Sequence, residues 1–382
     1  MREALAHPIC LVSGGTGGHL MPALVLARSL LQSEQPPLLI TEGRDVEREL
    51  VRQDLPDVCA VEVPRSGRSS LGLPWWLLRA TWKARGLLRQ HQVGGVISTG
   101  GRASVPVALA AKSLRLPVFL LEQNAVTGRA NSWLQSIARR TYTGLPGAKA
   151  DSARTLHTGT PLRPGFGRVD RAEARRSLGF GVAAPVVLVT GGSQGARALN
   201  ELVPRALSHL GRELQVVHLS GLGNDAEVRQ RYAEATGVIA SEVRPVAADM
   251  DRLFAAADLV ICRGGGTTVA ELMAVGRAAV IVPYPHHKDQ QQLHNARVLE
   301  RVGAAVVCEE REVSAESFAE VVGALLADPA RLEAMGAAAR QLRRLDASDA
   351  ILADVGDQIH AHAARSLSAG RRRASLDRGG SA

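Results

Sequence analysis

Short apolar runs alternate along the chain with amphipathic stretches of helical length. Runs such as Ile9–Ser13, Val118–Leu121 and Pro185–Thr190 predict buried strands, because strands covered by helices on both faces are almost wholly apolar. A loop rich in glycine or polar residues follows most of these runs and leads into a helix. Strands that alternate with helices in this way predict an α/β fold with doubly wound parallel sheets.

The order of strand, glycine loop and helix occurs twice. Gly14–His19 follows the first strand, and Gly191–Ala196 follows a strand near the middle of the chain. The length of 382 residues also predicts two domains. We therefore expect two doubly wound domains that face each other across a cleft, at residues 1–162 and 163–345. Glycine and proline in Thr158–Arg163 indicate the hinge between them.

The chain is basic, with a net charge of +9 and a pI near 10.1. This charge indicates an anionic partner, such as phosphate, nucleic acid or an anionic membrane. Part of the excess lies in residues 365–382, whose glycine, serine, alanine and arginine content predicts a disordered basic tail. The helix before it, about 346–364, is expected to pack back on the first domain.

The cysteines and the apolar runs indicate where the protein is found. Cys10, Cys59, Cys262 and Cys308 are far apart, which is typical of free thiols in a reducing compartment. The amino terminus lacks an apolar signal core, and no apolar run approaches the roughly 18 residues of a membrane-spanning helix. We expect a cytoplasmic protein that can touch a membrane.

The densest group of candidate binding residues lies in Asp258–Asn295. Glycines at a strand-to-helix turn expose backbone to a ligand, and the helix that begins near Thr267 supplies unpaired N–H groups for a phosphate. Glu271 can accept hydrogen bonds from both hydroxyls of a ribose. Gln291 and Gln292 offer amides to a hydroxylated ligand. Together these groups predict a site for a nucleotide joined to a sugar.

Several residues outside this stretch have a candidate role and a simpler alternative. His19 lies where a reacting hydroxyl could lose its proton, or it makes a structural hydrogen bond. Arg163 could clamp a diphosphate as the cleft closes, or it is a solvated arginine. Ser193 would offer a hydroxyl and a backbone N–H to phosphate. Asp249 and Asp251 match a metal-binding spacing, but helix capping explains them better, and no metal site is expected.

Three of the four tryptophans lie in Leu71–Arg89, which has helical spacing and interleaved basic residues. Apolar anchors flanked by bases predict a helix that lies on a membrane surface. The alternative is a tryptophan-rich helix that packs on its own domain. The residues expected at the membrane are Trp75, Trp76, Leu78, Arg79, Trp82 and Lys83.

The combined motifs resemble the MurG family over about residues 9–361. They are GGTGGH at Gly14–His19, TGG at Thr99–Gly101, EQN at Glu122–Asn124, GGSQGAR at Gly191–Arg197, CRGGGTTVAEL at Cys262–Leu272 and HKDQQQLHNA at His287–Ala296. These bacterial enzymes move N-acetylglucosamine from its UDP donor to lipid I, giving lipid II of peptidoglycan. The resemblance implies a GT-B fold with two Rossmann-like domains. It also implies an inverting hexosyl transfer in which His19 takes the proton of the acceptor's 4-hydroxyl, without a cofactor.

The resemblance further implies the binding residues, the partners and the location. UDP-N-acetylglucosamine, lipid I and an anionic membrane surface would be the partners, and the enzyme would be peripheral on the cytoplasmic face of the cell membrane. Two departures, Leu121 for a histidine and Arg102 for an aromatic residue, fall on the acceptor side. Donor binding would involve Thr16, Gly17, Gly18, Asn124, Arg163, Ser193, Ala247, Gly266, Thr267, Thr268, Glu271, Gln291, Gln292 and Asn295.

Two other functions are compatible with parts of this pattern. A UDP-N-acetylglucosamine 2-epimerase shares the architecture but needs neither a lipid acceptor nor a membrane segment. A nucleic-acid-binding protein would account for the basic pI, and it would bind DNA with a strong dependence on salt. The scarcity of aromatic residues outside Leu71–Arg89 disfavours this second alternative, because it leaves no platform for stacked bases.

Overall fold

The computed structural model describes residues 7–14, 17–65, 72–147, 152–181, 184–192, 195–235 and 238–379. The first half of the chain alternates strands with helices. In chain order, its elements are β1 (Ile9–Val12), α1 (Gly17–Gln32), β2 (Leu38–Thr41), α2 (Asp45–Asp54), β3 (Cys59–Glu62), α3 (Leu73–Gln90), β4 (Gly95–Ser98), α4 (Ser104–Ser113), β5 (Val118–Glu122), α5 (Arg129–Leu134), β6 (Arg140–Thr143) and β7 (Thr155–His157).

The second half repeats the alternation and ends in three helices. Its elements are α6 (Arg171–Ser177), β8 (Val186–Thr190), α7 (Arg197–Ser208), β9 (Leu214–Leu219), α8 (Asp225–Ala233), β10 (Val238–Arg244), α9 (Met250–Ala256), β11 (Leu259–Cys262), α10 (Gly266–Val275), β12 (Ala278–Ile281), α11 (Gln291–Glu300), β13 (Ala305–Val307), α12 (Ala315–Leu326), α13 (Pro329–Gln341) and α14 (Ala347–Gly379).

The named strands form two separate parallel sheets. The first has the order β3-β2-β1-β4-β5-β6-β7, and the second has the order β10-β9-β8-β11-β12-β13. The strand order reverses once in each sheet, where β1 pairs with β4 and β8 pairs with β11. The predicted α/β class with two doubly wound domains is therefore confirmed. In such sheets, ligands bind beyond the carboxyl ends of the strands at the reversal.

Some elements differ from the sequence-based expectation. The apolar pattern does not predict β6, which is short and polar and is fixed by pairing with β5. The boundary expected after residue 162 falls between β7 and α6 and stays a prediction. The backbone of α14 is helical to Gly379, which differs from the disordered tail expected at 365–382. Alanine and arginine favour helix, and extending an existing helix avoids the cost of nucleation.

The start of α14 packs on the first sheet, although it follows the second sheet in the chain. Ile351 and Val355 are fully buried in the same apolar cluster as Leu11. Arg140 donates two hydrogen bonds to the Asp354 carboxylate, at 2.8 and 2.7 Å, and the Tyr142 hydroxyl donates a third at 2.7 Å. Burial acts to raise the pKa of Asp354, but these hydrogen bonds outweigh it and hold the pKa below its usual value.

Replacing Asp354 should loosen this helix. We expect Asp354→Asn to lower the free energy of unfolding by about 1–2 kcal/mol at pH 7, because hydrogen bonds to a charged group are lost. Since the folded pKa is depressed, the ionised carboxylate stabilises the fold above the unfolded pKa of about 3.9 and less so as pH falls. Urea denaturation of the wild type and the variant at pH 7 and near pH 3 measures this, and the difference in free energy of unfolding should be smaller near pH 3.

The exposed Asp357 on the same helix provides the matched control. Asp357→Asn removes the same charge without removing the contacts to Arg140 and Tyr142. Equal urea midpoints for the two variants at pH 7 would contradict the stabilising role of Asp354.

Candidate active site

The loops that follow β1, β4 and β5 meet at the reversal point of the first sheet. The Gly14 N–H donates to the Gly100 carbonyl at 3.1 Å, which ties the first two loops together. A Cβ built on Gly101, whose φ is 87°, would lie 1.8 Å from the Gly14 carbonyl oxygen. Only glycine fits this close approach. Gly14, at the start of the first glycine loop, is therefore in direct backbone contact with Gly100 and Gly101 after β4.

His19, near the start of α1, faces the loops after β4 and β5. Its Nδ1 is 3.0 Å from the Thr99 carbonyl oxygen and 3.3 Å from Gln123 Oε1. The Gln123 amide nitrogen donates to the same Thr99 oxygen at 2.9 Å, which fixes the orientation of the amide. Both neighbours of Nδ1 are acceptors, so in the neutral tautomer that fits them Nδ1 carries the hydrogen and Nε2 is the acceptor. The arrangement suits a general base.

The Glu122 carboxylate organises the polar loop after β5. It is buried and accepts hydrogen bonds from Asn124 N at 3.1 Å, Asn124 Nδ2 at 3.0 Å, Gly128 N at 2.8 Å and Asn131 Nδ2 at 2.9 Å. The sequence analysis named Glu122–Asn124 only as a motif of the family resemblance and gave Glu122 no role. An acidic residue at a strand end, followed by asparagines and a glycine, was the available signal.

Glu271 and Arg163 lie together on the second-domain side of the cleft. Glu271 is buried in α10, and burial raises its pKa to about 7, with the positive charge of Arg163 acting in the opposite direction. Arg163 is half-buried, and its Nη1 donates to the Ala248 carbonyl at 3.0 Å. Ala247, the residue before Ala248, is partly buried against the apolar core of the second sheet. The structure thus brings three predicted binding residues to one region.

The amino terminus of α10 touches the first domain directly. The Thr267 hydroxyl donates to the Gly18 carbonyl at 3.1 Å, next to His19. A Cβ built on Gly266 would lie 2.4 Å from the Gln123 carbonyl oxygen, so the two backbones are in contact there. The α10 helix dipole and its free N–H groups face this junction, which suits a phosphate.

Three other predicted binding residues lie at or near helix starts, and two lie outside the described residues. Gln291 begins α11, and its Nε2 would be 3.6 Å from a Cβ built on Gly128 of the first domain. Thr268 lies in the first turn of α10, and its hydroxyl oxygen is 3.5 Å from a Cβ built on Gly265. Gly17 is the first residue of α1. Predictions for two residues lie outside the described part of the chain, namely Thr16 and Ser193.

Two predicted ligand contacts are instead used within the protein. The Gln292 Oε1 accepts a hydrogen bond from the Tyr284 N–H at 3.0 Å and so supports the loop after β12. Asn295 is fully buried, and its Nδ2 donates to Asn124 Oδ1 and to the Gly264 carbonyl, both at 3.0 Å. Because both N–H groups of Asn295 are used, its amide has no donor left for a substrate. The expected substrate contact of Asn295 is corrected accordingly.

Arg263 is a buried residue whose role the sequence did not indicate. Its Nη1 donates to the carbonyls of Val282 and Pro283 at 3.0 and 3.2 Å, and its Nη2 pairs with Glu310 at 2.6 Å. The guanidinium also lies 5.7 Å from the centre of the Tyr284 ring. An arginine at the end of an apolar strand was the signal. It holds the loop between β12 and α11 in place.

One face of α3 leaves large apolar side chains in solvent. Trp75, Leu78 and Trp82 are 72%, 61% and 79% exposed, and Arg79 and Lys83 are exposed beside them. The opposite face of the helix packs on α4. No helix within the described ranges is long and apolar enough to cross a bilayer.

Two tryptophans depart from the prediction for this surface. Trp76 is half-buried, and its Nε1 donates to the Pro64 carbonyl at 2.6 Å, so it does not join the exposed face. This corrects its expected membrane contact. Trp133 in α5 is 72% exposed, and the sequence gave it no role.

Within the described ranges, no group of three or more His, Cys, Asp or Glu residues is arranged to hold a metal ion. The Asp249 carboxylate pairs with Arg244 at 3.1 Å and does not cap α9. The capping expected of Asp249 is therefore not observed. That the enzyme uses no metal stays a prediction.

Two family models match the chain. The glycosyltransferase family 28 N-terminal domain matches residues 9–143, which contain β1 to β6. The glycosyltransferase family 28 C-terminal domain matches residues 186–351, which contain β8 to β13. Each match thus covers most of one sheet and the loops at its reversal point.

Relatives of high similarity share one name. A protein from Alkalilimnicola ehrlichii is 40% identical over 352 residues, covering 90% of this chain and 97% of that protein. A protein from Xanthomonas axonopodis pv. citri is 40% identical over 355 residues, covering 91% and 82%. Both are named UDP-N-acetylglucosamine--N-acetylmuramyl-(pentapeptide) pyrophosphoryl-undecaprenol N-acetylglucosamine transferase.

Solved structures agree with this similarity. The crystal structure of Acinetobacter baumannii MurG is similar with a TM-score of 0.76 and 29% identity, covering 93% of this chain and 99% of that one. The UDP-GlcNAc 2-epimerase from Neisseria meningitidis has a TM-score of 0.65 and 12% identity, covering 91% and 99%. The second likeness shows the fold alone.

The raised pKa of Glu271 should affect folding stability. The folded protein retains this proton up to about pH 7, whereas the unfolded chain releases it near pH 4.3. Between these two pKa values the folded protein binds one more proton than the unfolded chain. The free energy of unfolding therefore falls as pH rises from about 4.3 to about 7. We expect Glu271→Gln to remove this loss of stability, which is roughly 4 kcal/mol at most. Chemical denaturation of both proteins at several values from about pH 4 to 8 measures it.

The exposed Glu320 on α12 offers the matched control. Glu320→Gln should follow the wild-type curve of stability against pH. Parallel curves for wild type and Glu271→Gln would show that the Glu271 carboxyl has an ordinary pKa.

Proposed function

The chain belongs to the MurG family of glycosyltransferases, and on that premise we propose how it transfers N-acetylglucosamine from UDP-N-acetylglucosamine to lipid I. The product is lipid II. One observation carries the proposal for this site: the Thr267 hydroxyl donates to the Gly18 carbonyl across the cleft. This contact brings α10, which carries Glu271, beside the start of α1, which carries His19. The proposed nucleotide-sugar site and the candidate base would therefore lie at one junction.

The second domain would bind the donor. The free N–H groups at the start of α10 would receive the diphosphate, and Arg163 would add a positive charge. Glu271 would accept hydrogen bonds from the ribose hydroxyls, a contact that favours its ionised form. Gln291, Thr268 and the backbone of Ala247 would contact the rest of the donor. Gln292 would act indirectly through the loop that it supports.

The first domain would supply the base. The His19 Nε2 lone pair would take the proton from the acceptor's 4-hydroxyl as its oxygen attacks the anomeric carbon from the side opposite UDP. The bond from the anomeric carbon to the diphosphate oxygen breaks with its electron pair, so the configuration inverts. The negative charge that develops on UDP would be stabilised by the α10 amino terminus and Arg163.

The exposed face of α3 would hold the enzyme on the membrane that contains its lipid acceptor. Buried large apolar side chains contribute about 1.5–3 kcal/mol each, and each basic residue near anionic lipid adds about 1 kcal/mol. Trp75, Leu78 and Trp82 with Arg79 and Lys83 are the corresponding groups. We propose a peripheral location on the cytoplasmic face of the cell membrane.

No observation on this chain favours the alternatives. The epimerase likeness is confined to the fold at 12% identity. A nucleic-acid-binding role rests on the basic pI alone, and the basic face with exposed tryptophans is better suited to an anionic lipid surface.

The reaction is tested with purified protein, UDP-N-acetylglucosamine and a lipid I analogue. UDP release should require both substrates, and release of a new free sugar nucleotide without acceptor would instead indicate an epimerase.

We expect His19→Ala to lower turnover about 10²–10⁴-fold, with donor affinity nearly unchanged, because only the base is removed. His209→Ala, at an exposed histidine of the second domain, is the control. Equal turnover of the two variants would exclude His19 as the base.

Attachment to the membrane is tested with vesicles that contain an anionic lipid. The double variant Trp75→Ala/Trp82→Ala should bind at least about tenfold more weakly than wild type, because two anchors no longer insert. Leu222→Ala removes a side chain of similar exposure in the second domain and should bind normally. Cosedimentation with the vesicles at two salt concentrations measures the apolar and the electrostatic contributions to binding, because salt weakens only the electrostatic one. Equal binding by all three proteins would refute the role of α3.

A further inference from the structure

Asn295 forms a buried hydrogen-bonded link between the two domains. Its Oδ1 accepts from the Ala125 N–H at 2.7 Å, and its Nδ2 donates to Asn124 Oδ1 at 3.0 Å. A further bond from Nδ2 to the Gly264 carbonyl, at 3.0 Å, holds the side chain to its own domain. The side chain is fully buried. Asn295 therefore bridges the loop after β5 and the loop after β11.

Further contacts hold the first-domain loop that Asn295 reaches. The Glu122 carboxylate fixes Asn124 through two hydrogen bonds. The backbone of Gly266 lies against the Gln123 carbonyl, where no side chain would fit. Asn295 therefore bonds to a loop that other contacts already hold in place.

The linked loop also holds the candidate base. Gln123, next to Asn124, contacts His19 through Oε1 and the Thr99 carbonyl through Nε2. Contacts that cross between domains usually leave room for relative motion. Separating the domains would break the hydrogen bonds of Asn295 to Asn124 and Ala125 and expose these groups to water, so the net gain from two intramolecular hydrogen bonds favours the closed arrangement.

From these contacts we propose that Asn295 is a positioning residue, which keeps the domains closed so that His19 faces the donor. The inference rests on the proposed function and deepens it. Asn295 makes no contact with the donor in this role. It acts through Asn124 and Ala125, and hence through the loop that orients His19.

The test replaces the amide with a carboxylate of the same shape. Asn295→Asp can still accept from the Ala125 N–H, but it cannot donate to Asn124 or Gly264, and it faces their oxygens with a negative charge. Asn124 cannot compensate by turning its amide, because its nitrogen is held by Glu122. We expect kcat to fall at least about tenfold, with the dissociation constant for UDP changed less than about threefold.

The matched control is Asn224→Asp. Asn224 Nδ2 donates to the carbonyls of Ser220 and Leu222, at 3.2 and 3.3 Å, within the second domain only. The substitution removes the same type of hydrogen bond and adds the same charge, while aspartate suits the helix start at α8. Its kcat should remain close to wild type.

Domain closure is measured directly by electron spin resonance distances between labels at Val46→Cys and Val302→Cys. Both positions are exposed, one in each domain, and Cys59→Ser removes the exposed native thiol while the other three cysteines are buried. We expect the distance distribution of Asn295→Asp to be longer or broader than that of wild type and of Asn224→Asp. If Asn295→Asp lowers the melting temperature too far, Asn295→Ser replaces it.

The outcomes separate this inference from the proposed function. Absence of transfer by the wild-type protein would refute the proposed function, and the distances would still report on the link. Wild-type kcat in both Asn295 variants would overturn the positioning role. So would a loss of kcat with unchanged distances, because the residue would then act locally.

Discussion

The cleft depends on direct contact between two stretches of backbone. Gly266 at the start of α10 lies against the Gln123 carbonyl, and a Cβ there would come within 2.4 Å of that oxygen. Gln123 also contacts His19, and the Thr267 hydroxyl bonds to the Gly18 carbonyl, so the start of α10 lies against residues that neighbour His19. The contact joins the reversal points of the two sheets, where each fold places its ligands.

Buried polar groups join neighbouring elements within each domain. In the first domain, the Glu122 carboxylate collects four hydrogen bonds. In the second, the buried His218 links the Tyr232 hydroxyl to Asn200 Oδ1, both at 3.0 Å, and Asn200 donates to the Ser220 carbonyl. Burial lowers the pKa of His218 to about 3, so it stays neutral as a fixed link. Such networks are stabilising when complete and costly when one member is missing.

The charged groups divide between two surfaces with different surroundings. Inside the cleft, burial brings the pKa of Glu271 to about 7, so hydroxyl donors from a ligand can shift its ionisation. On the outer face of α3, Arg79 and Lys83 are exposed beside tryptophans and keep ordinary hydration. The first surface favours a specific small ligand, whereas the second favours a broad anionic layer.

The sequence alone determined the alternation of strands and helices, the glycine loops, the family, and the candidate positions of His19 and Glu271. Each of these follows from residues close together in the chain, because periodicity and turn chemistry are local. Only the tertiary structure decided that Trp76 turns inward, that Glu122 braces its loop, and that Asn295 bonds to Asn124 and Ala125 of the other domain. Asn124 and Asn295 are 171 positions apart, and His19 and Gln123 are 104 apart. An amide side chain carries the same donors and acceptors toward a ligand or a protein neighbour, so its partner is fixed only when packing brings distant loops together.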